Sequence, residues 1–133
     1  MLNSFTRHLT PADKARSDYA YIPFDMPAGI VRLDLRYSVS HPRDAADLSG
    51  QGNTIDIGLF DPRGHEFGTG RGFRGWSGRG CDRFFIAEDA ATPGYLAGPI
   101  QPGEWHVIFG LYHLAEEGCD YQLEIEFTPG RQR

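Results

Sequence analysis

A Pro-Gly turn opens the most apolar strand pattern of the chain, within residues 98–112. From Trp105 onward, Val107, Phe109 and Leu111 follow at every second position, and successive side chains of a strand point to opposite faces of a sheet. The positions between them are not charged but carry large and partly apolar side chains, at His106, Ile108 and Tyr112. This pattern predicts a central strand that has a neighbour on each side and is covered on both faces.

Alternation with a period of two predicts further strands on both sides of this stretch. The clearest run is 30–39, where the odd positions are apolar or aromatic and the even positions from 32 onward are polar, as in a half-buried antiparallel strand. Pro23 places the stretch 20–26 at the edge of a sheet, because proline cannot donate a hydrogen bond to a neighbouring strand. We also expect strands at 53–60, 65–67, 83–87 and 121–127.

Turn signals separate these strands, as the 17 glycines and 9 prolines of the chain would suggest. The run Asp61-Pro62-Arg63-Gly64 has the residues of a type I turn in the order that the turn requires, and we expect a hairpin there. The segment 88–97 is expected to cross between strands, with Tyr95 and Leu96 as its apolar anchors.

Together these elements predict an all-β fold, namely a two-sheet antiparallel β-sandwich of about seven strands with jelly-roll-like topology. A chain of 133 residues is long enough for one domain with a single core. We expect an N-terminal arm over 1–18, the β-sandwich domain over 19–128, and a C-terminal tail or the start of a linker over 129–133. Within the arm, Thr10 followed by Pro11 is a helix-start signal and predicts a short helical turn.

Net charge and cysteine usage limit which partners and which cellular compartment we expect. The formal net charge of −5 argues against nonspecific binding to nucleic acid or to an anionic membrane. No apolar run has the length of a signal peptide or of a membrane span, so we expect a cytoplasmic location. Cys81 and Cys119 are isolated from each other, and we expect buried thiols because a disulfide is disfavoured in that compartment.

No motif of the chain supplies a catalytic or metal-binding set. The five histidines show neither HxH nor HExxH spacing, so we expect no metal and no cofactor. Gly70–Gly75 matches GxGxxG in letters, but no apolar strand precedes it and no helix pattern follows it. Gly75–Arg79 departs from a nucleophile elbow at its last position. We therefore expect no catalytic residue and no enzymatic activity from this chain by itself.

The stretch 64–82 holds seven glycines in nineteen positions together with several arginines and aromatic residues. Guanidinium groups and flat rings on a flexible backbone can stack on sugars and bind anions. The alternative is structural: the aromatic residues close one end of the sandwich while the arginines pair with acidic residues, and we favour this interpretation. The candidate ligand-binding residues are Arg71, Phe73, Arg74, Trp76 and Arg79.

Five short motifs along the chain form a set: Gly72–Gly78, Thr92–Leu96, Gly98–Ile100, Pro102–Val107 and Gly118–Tyr121. As a set they resemble the N-terminal region of the CehA/McbA family of metallohydrolases, enzymes with a PHP-type catalytic domain. The resemblance runs from about Tyr19 to Phe127 and implies a region that precedes a metal-binding hydrolytic domain. No metal ligand carries over, because the HxH-type ligands of the family would lie beyond Arg133. A piece of a longer protein, a stand-alone relative and a member without its catalytic half remain alternatives.

Two functional hypotheses follow. The first is a noncatalytic accessory or interaction module that acts in assembly or in positioning a partner or substrate; its partner is a metal-dependent hydrolase domain, in cis or in trans, or a second copy of the chain. The second is a stand-alone module that binds a carbohydrate or an anionic small molecule through the Arg-rich and aromatic loop. An enzyme in its own right is disfavoured, since no acid, base and nucleophile can be assembled.

Overall fold

The secondary structure of the computed structural model consists mainly of strands. The structure describes residues 2–40, 52–65, 70–77 and 82–130. Within these residues there are eight strands and one short helix. No helix in this part of the chain is long and apolar enough to cross a membrane. The elements are β1 (Leu2–Leu9), α1 (Pro11–Arg16), β2 (Tyr19–Met26), β3 (Ile30–Val39), β4 (Thr54–Phe60), β5 (Phe73–Ser77), β6 (Arg83–Ala87), β7 (Gly103–His113) and β8 (Cys119–Pro129).

Two antiparallel sheets of four strands face each other. The first sheet has the order β1-β8-β3-β6 and the second has the order β2-β7-β4-β5. The pairing is nested, since β1 pairs with β8, β2 with β7, β3 with β6 and β4 with β5. A long hairpin rolled up in this way is a jelly roll, in which two sheets share one core. The predicted two-sheet sandwich with jelly-roll topology is therefore confirmed, with eight strands where about seven were expected.

The strand β7 is central in the second sheet, between β2 and β4, as its sequence predicts. Trp105, Val107 and Phe109 are fully buried in the core between the sheets. The outer face of β7 is covered only in part, because Ile108 is fully buried whereas Tyr112 is 71% exposed. One part of this outer face is therefore open to solvent, which the apolar pattern did not predict.

The two predicted strands nearest the N-terminus, β2 and β3, form as expected. Pro23 lies in β2 at the edge of the second sheet, where its missing N–H costs no ladder hydrogen bond. In β3 the register to β8 shifts between Ile30 and Arg32. Because of this irregularity Ile30 is buried and Val31 is only half-buried, so the expected alternation is reversed at the start of β3.

The first eighteen residues contain a strand that the sequence analysis did not predict. Residues of β1 pair in register with β8, from Leu2 opposite Glu126 to Leu9 opposite Cys119. A short and mostly polar edge strand carries little periodic signal of its own, and its partner strand supplies the pairing. The expected helical turn is confirmed as α1, with Thr10 as N-cap in a capping box.

The glycine-rich stretch contains a strand at Phe73–Ser77, and of the strand expected at 65–67 only the first residue is described. His65 lies outside any strand, and 66 and 67 lie outside the described residues. The expected turn is confirmed by a hydrogen bond of 3.3 Å from the Gly64 amide to the Asp61 carbonyl, and β4 and β5 pair as the two arms of a hairpin. The segment between the two strands, 61–72, is longer than the four-residue turn that was expected.

Several smaller expectations have mixed outcomes. Tyr95 is buried as an anchor of the crossing segment, but Leu96 is 54% exposed and is not one. Cys119 is a buried free thiol as expected, and burial raises its pKa to about 11. Cys81 lies outside the described residues. Pro129 belongs to β8, while 131–133 of the expected tail lie outside the described residues.

Candidate functional site

The structure describes four of the five predicted ligand-binding residues and separates them. Arg71 is exposed in the turn before β5, and Arg79 lies outside the described residues. Phe73 is half-buried and packs against the Phe60 ring, with the two ring centroids 5.8 Å apart. Arg74 and Trp76 belong to the same strand but point to opposite sides of the second sheet, as their contacts show. The four described residues therefore do not form one common surface.

Arg74 is an internal residue of the sandwich. Its side chain is almost fully buried, and its Nη1 lies 3.4 Å from Oδ2 of the buried Asp61. The remaining donors reach three backbone carbonyls at 3.1 to 3.2 Å, and the guanidinium lies 5.3 Å from the centroid of the Trp105 ring. These carbonyls belong to Leu96, Gly98 and Pro99. This arrangement matches the structural alternative, in which an arginine pairs with an acidic residue at one end of the sandwich.

The Asp61 carboxylate is shared between two arginines. Arg63, exposed on the turn, donates from Nε at 3.0 Å and from Nη2 at 2.8 Å to the same carboxylate. Burial lowers the pKa of Arg74, and the Asp61 charge opposes that shift. An ion pair that is also hydrogen-bonded to carbonyls satisfies the donors of a buried guanidinium. The pair therefore holds the segment before β7 against the turn after β4.

Trp76 lies on the outer face of the second sheet, above two glycines. A Cβ atom on Gly58 would come within 2.5 Å of its Cε3, and one on Gly110 within 2.8 Å of its Cζ2. Any other residue at these positions would displace the indole, so glycine is required for this close approach. Gly58 lies in β4 and Gly110 in β7, and the indole thus spans two strands of the sheet.

A depression of about 310 Å³ opens beside this indole. Tyr19 forms one side, with its ring centroid 6.4 Å from that of Trp76 and the two planes at 77°. Tyr19 is 41% and Tyr112 71% exposed, and both line the depression. The remaining polar lining comes from Lys14, Asp18 and Asp56. We call this depression the Trp76 site.

The carboxylate of Asp56 is the half-buried acidic group of the Trp76 site. It accepts a hydrogen bond from the Trp76 side chain, whose only polar donor is the indole N–H. Burial raises the pKa of Asp56, and the hydrogen bond opposes part of that rise. Lys14 is engaged elsewhere, since its Nζ lies 2.9 Å from Asp18. Over the described residues, no lysine or arginine forms an ion pair with Asp56.

A second aromatic cluster lies on the same face and involves two histidines. The rings of His65 and His106 stack with centroids 3.9 Å apart, and Tyr21 meets both rings edge-on. Nε2 of His106 lies 3.2 Å from the Glu104 carboxylate, while its Nδ1 is buried and has no hydrogen-bond partner among the described residues. Burial lowers the pKa of His106, the neighbouring His65 lowers it further, and Glu104 opposes the shift.

A wider groove of about 570 Å³ crosses the outer face of the first sheet. Four of its charged side chains form two ion pairs: Arg32 lies 2.9 Å from Asp34, and Arg36 lies 2.8 Å from Glu124. The Arg32 guanidinium also lies 4.1 Å above the Phe85 ring. A polar surface with internally paired charges is the ordinary solvent face of an antiparallel sheet. We therefore place the candidate site on the second sheet, although the groove is larger.

Across 2–40, 52–65, 70–77 and 82–130, no group of three or more His, Cys, Asp or Glu residues is placed to hold a metal ion. The site therefore offers stacking, hydrogen bonding and charge, which are means of binding. We find no arrangement of acid, base and nucleophile among the groups described above.

Sequence reasoning found Trp76 but not its surroundings. The missed residues come from elements distant along the chain: Lys14, Asp18, Tyr19, Asp56, Gly58, Gly110 and Tyr112. One signal was available, since glycine in the middle of an otherwise apolar strand marks a close approach of another group. Gly58 and Gly110 both have this setting.

Fold and site define the class of protein: an all-β jelly-roll sandwich with an aromatic depression on the outer face of one sheet. Comparison of the chain with protein-family models and with curated proteins gives no match. What this depression can bind is therefore the main guide to function.

Proposed function

We propose that this chain is a noncatalytic β-sandwich module that acts as an accessory or interaction domain, in assembly or in positioning a partner or substrate. The partner is a metal-dependent hydrolase domain of the PHP type, in cis or in trans, as the resemblance to the N-terminal region of CehA/McbA metallohydrolases implies. One observation carries the proposal. The outer face of an antiparallel sheet is usually polar, but here Tyr19 and Tyr112 are exposed beside the half-buried Trp76.

Exposed aromatic side chains that lie together favour a binding surface over a purely solvated one. Tyrosine and tryptophan bury a large area at a small cost in side-chain entropy, and they are enriched at the centres of interfaces. The charged groove of the first sheet lacks such a cluster. The second sheet is therefore the better candidate for the interaction face.

The first experiment tests whether the module is noncatalytic. The purified chain is incubated with ester and phosphoester substrates, with and without added Mn²⁺ or Zn²⁺. We expect no hydrolysis above a heat-killed control, and hydrolysis that depends on the chain would contradict the proposal.

The second experiment tests the partner. The chain is titrated by calorimetry with a purified PHP-type catalytic domain of the resembled family, preferably one encoded in the same or the adjacent reading frame. We expect a complex that Tyr112→Ala weakens and that Leu96→Ala leaves unchanged, because Leu96 is an exposed apolar residue outside the Trp76 site. Absence of a complex, or equal effects of both variants, would count against this interaction face. Sedimentation of the chain alone measures self-association, the other form of assembly.

A stand-alone ligand-binding module is the second candidate function, and the Trp76 site is the observation that favours it. Its volume of about 310 Å³ lies at the lower end of the range for small-molecule sites. A panel of glycans and metabolites, read by calorimetry, should give a hit that weakens in Trp76→Ala. A uniformly blank panel would exclude this candidate.

A further inference from the structure

We infer that the Trp76 site binds a free small molecule with a quaternary ammonium group, held by the aromatic rings and by the Asp56 carboxylate. This inference rests on the second candidate function and replaces its ligand class. A carbohydrate or an anion was the expectation from the Arg-rich loop, but Arg74 is buried, and of the described candidate residues of that loop only Trp76 lines the site.

The aromatic walls suit a cation. The Tyr19 and Trp76 rings stand nearly perpendicular, at 77°, with their centroids 6.4 Å apart, and Tyr112 adds a third ring to the lining. The face of an aromatic ring carries negative charge density and attracts a cation that lies within about 6 Å of its centroid. Gly58 and Gly110 allow the indole to lie against the sheet, because neither has a side chain that would displace it.

The charges of the site have the matching sign. Lys14 and Asp18 compensate each other at 2.9 Å, which leaves the charge of Asp56 without a counterion over the described part of the chain. A half-buried carboxylate without a counterion costs free energy that a bound cation would offset. An anionic ligand would instead face the uncompensated Asp56 carboxylate, which disfavours it.

The hydrogen-bonding capacity of the site favours a methylated ammonium over a primary one. A primary ammonium loses strong hydration when it binds and needs several acceptors in return. The Asp56 carboxylate already accepts the hydrogen bond from Trp76, and Leu111 adds apolar lining. A quaternary ammonium donates no hydrogen bond, and its methyl groups can pack against rings and aliphatic carbon.

The test compares choline with 3,3-dimethyl-1-butanol, which has nearly the same shape and no charge. Binding is followed by calorimetry and by the NMR signal of the Trp76 indole N–H. We expect choline and tetramethylammonium to bind, and the neutral compound to bind at least about tenfold more weakly. Equal binding of choline and the neutral compound would overturn the inference, because the charge would then contribute nothing.

Two matched variants separate charge from shape. Asp56→Asn keeps an oxygen that can accept from Trp76 but removes the charge, and it should weaken choline binding about tenfold. Asp25→Asn, an exposed residue of β2 that does not line the site, should leave binding unchanged. Thermal unfolding of each variant shows whether it is folded. Choline binding that survives Asp56→Asn in a folded protein would overturn the role of the carboxylate.

Other outcomes separate this inference from the function on which it rests. Binding of a neutral sugar that Trp76→Ala abolishes, with no binding of choline, would overturn the inference that the ligand is a cation. It would leave the chain as a ligand-binding module. Binding to phosphatidylcholine vesicles without binding of free choline would overturn the inference that the ligand is a free small molecule. Blank titrations with ammonium compounds, sugars and anions would overturn both the inference and the second candidate function.

Discussion

Arg74 and Asp61 form a buried ion pair, in which Nη1 of the arginine lies 3.4 Å from Oδ2 of the aspartate. The pair joins two segments that are far apart along the chain, the turn after β4 and the backbone before β7. The arginine belongs to the glycine-rich loop that, on sequence alone, is a candidate ligand surface. In the folded protein it stabilises one end of the sandwich.

We expect Arg74→Met to lower the free energy of unfolding by about 3 kcal/mol, because it leaves three carbonyls and part of the Asp61 carboxylate without their donor. Denaturation with urea measures the loss. Arg36→Met is the control, since that arginine pairs with Glu124 on the exposed face of the first sheet and its loss should have little effect. Equal and small effects of both substitutions would show that the buried pair contributes no more than an exposed one.

Gly110→Ala should destabilise the protein by about 1 to 3 kcal/mol and shift the Trp76 fluorescence to longer wavelength, because the new methyl group would push the indole toward solvent. The control is the same substitution in a Trp76→Ala background. The nearest remaining contact of the methyl group is then Asp56 Cβ at 3.5 Å, an ordinary distance, and the penalty should disappear. A penalty that persists without Trp76 would show that another contact requires the glycine.

His106 should make stability depend on pH. Burial and the neighbouring His65 lower its pKa below the ordinary histidine value in the folded state, while Glu104 opposes the shift, so the unfolded chain binds the proton more readily. Stability is then highest above the ordinary pKa and falls as pH decreases through it toward the folded value. Urea unfolding at about pH 7.5 and about pH 5.5 measures this fall.

His106→Gln should reduce the difference between the two pH values. Ile108→Val, on the same strand, introduces no titrating group and should keep the difference of the parent protein. An unchanged pH dependence in His106→Gln would mean that other groups cause it.

Asp56→Asn should raise stability at neutral pH. Burial raises the pKa of the Asp56 carboxyl in the folded state, so its charged form is disfavoured there. The ionised carboxylate therefore lowers the stability of the folded protein at neutral pH, whereas a carboxylate in an ion pair raises it. The other charged groups that line the same depression are Lys14 and Asp18, which pair with each other. The gain should shrink as pH falls below the folded pKa, because the parent protein is then protonated. A loss of stability at neutral pH would contradict this sign.

Cys119 should be unreactive in the folded protein, because its thiol is buried and its pKa is raised to about 11. Iodoacetamide labelling followed by peptide mass mapping distinguishes it from Cys81. We expect the Cys119 peptide to be labelled only after unfolding, and labelling at the same rate under native conditions would show that the strand opens readily.

Local alternation was sufficient to predict most of the strands. In β3, β7 and β8 every second residue is apolar, and the period of two fixes which side chains face the core. The same rule failed at β1 and β5, which are edge strands with polar or glycine-rich sequences. Their pairing depends on partner strands distant in sequence, and no local pattern encodes that.

The orientation of Arg74 and Trp76 shows a further limit. By alternation the two residues would share one face of β5. The register of β5 shifts, so that Leu59 pairs with Gly75 while Phe60 pairs with Phe73, and Arg74 is the extra residue of a bulge. A bulge re-aims a side chain, and here it turns the arginine inward while Trp76 stays outside.

Local sequence patterns are sufficient to predict the all-β class, the two-sheet sandwich and the central position of β7, because periodicity and turn residues act over a few neighbouring positions. Which residues meet at the Trp76 site depends instead on the three-dimensional fold. Its members come from α1 and the residues just after it and from β2, β4, β5 and β7, and they meet because the nested pairing of a jelly roll brings those strands side by side. Long-range strand order and one bulge set that meeting, and neither leaves a signal in the local sequence.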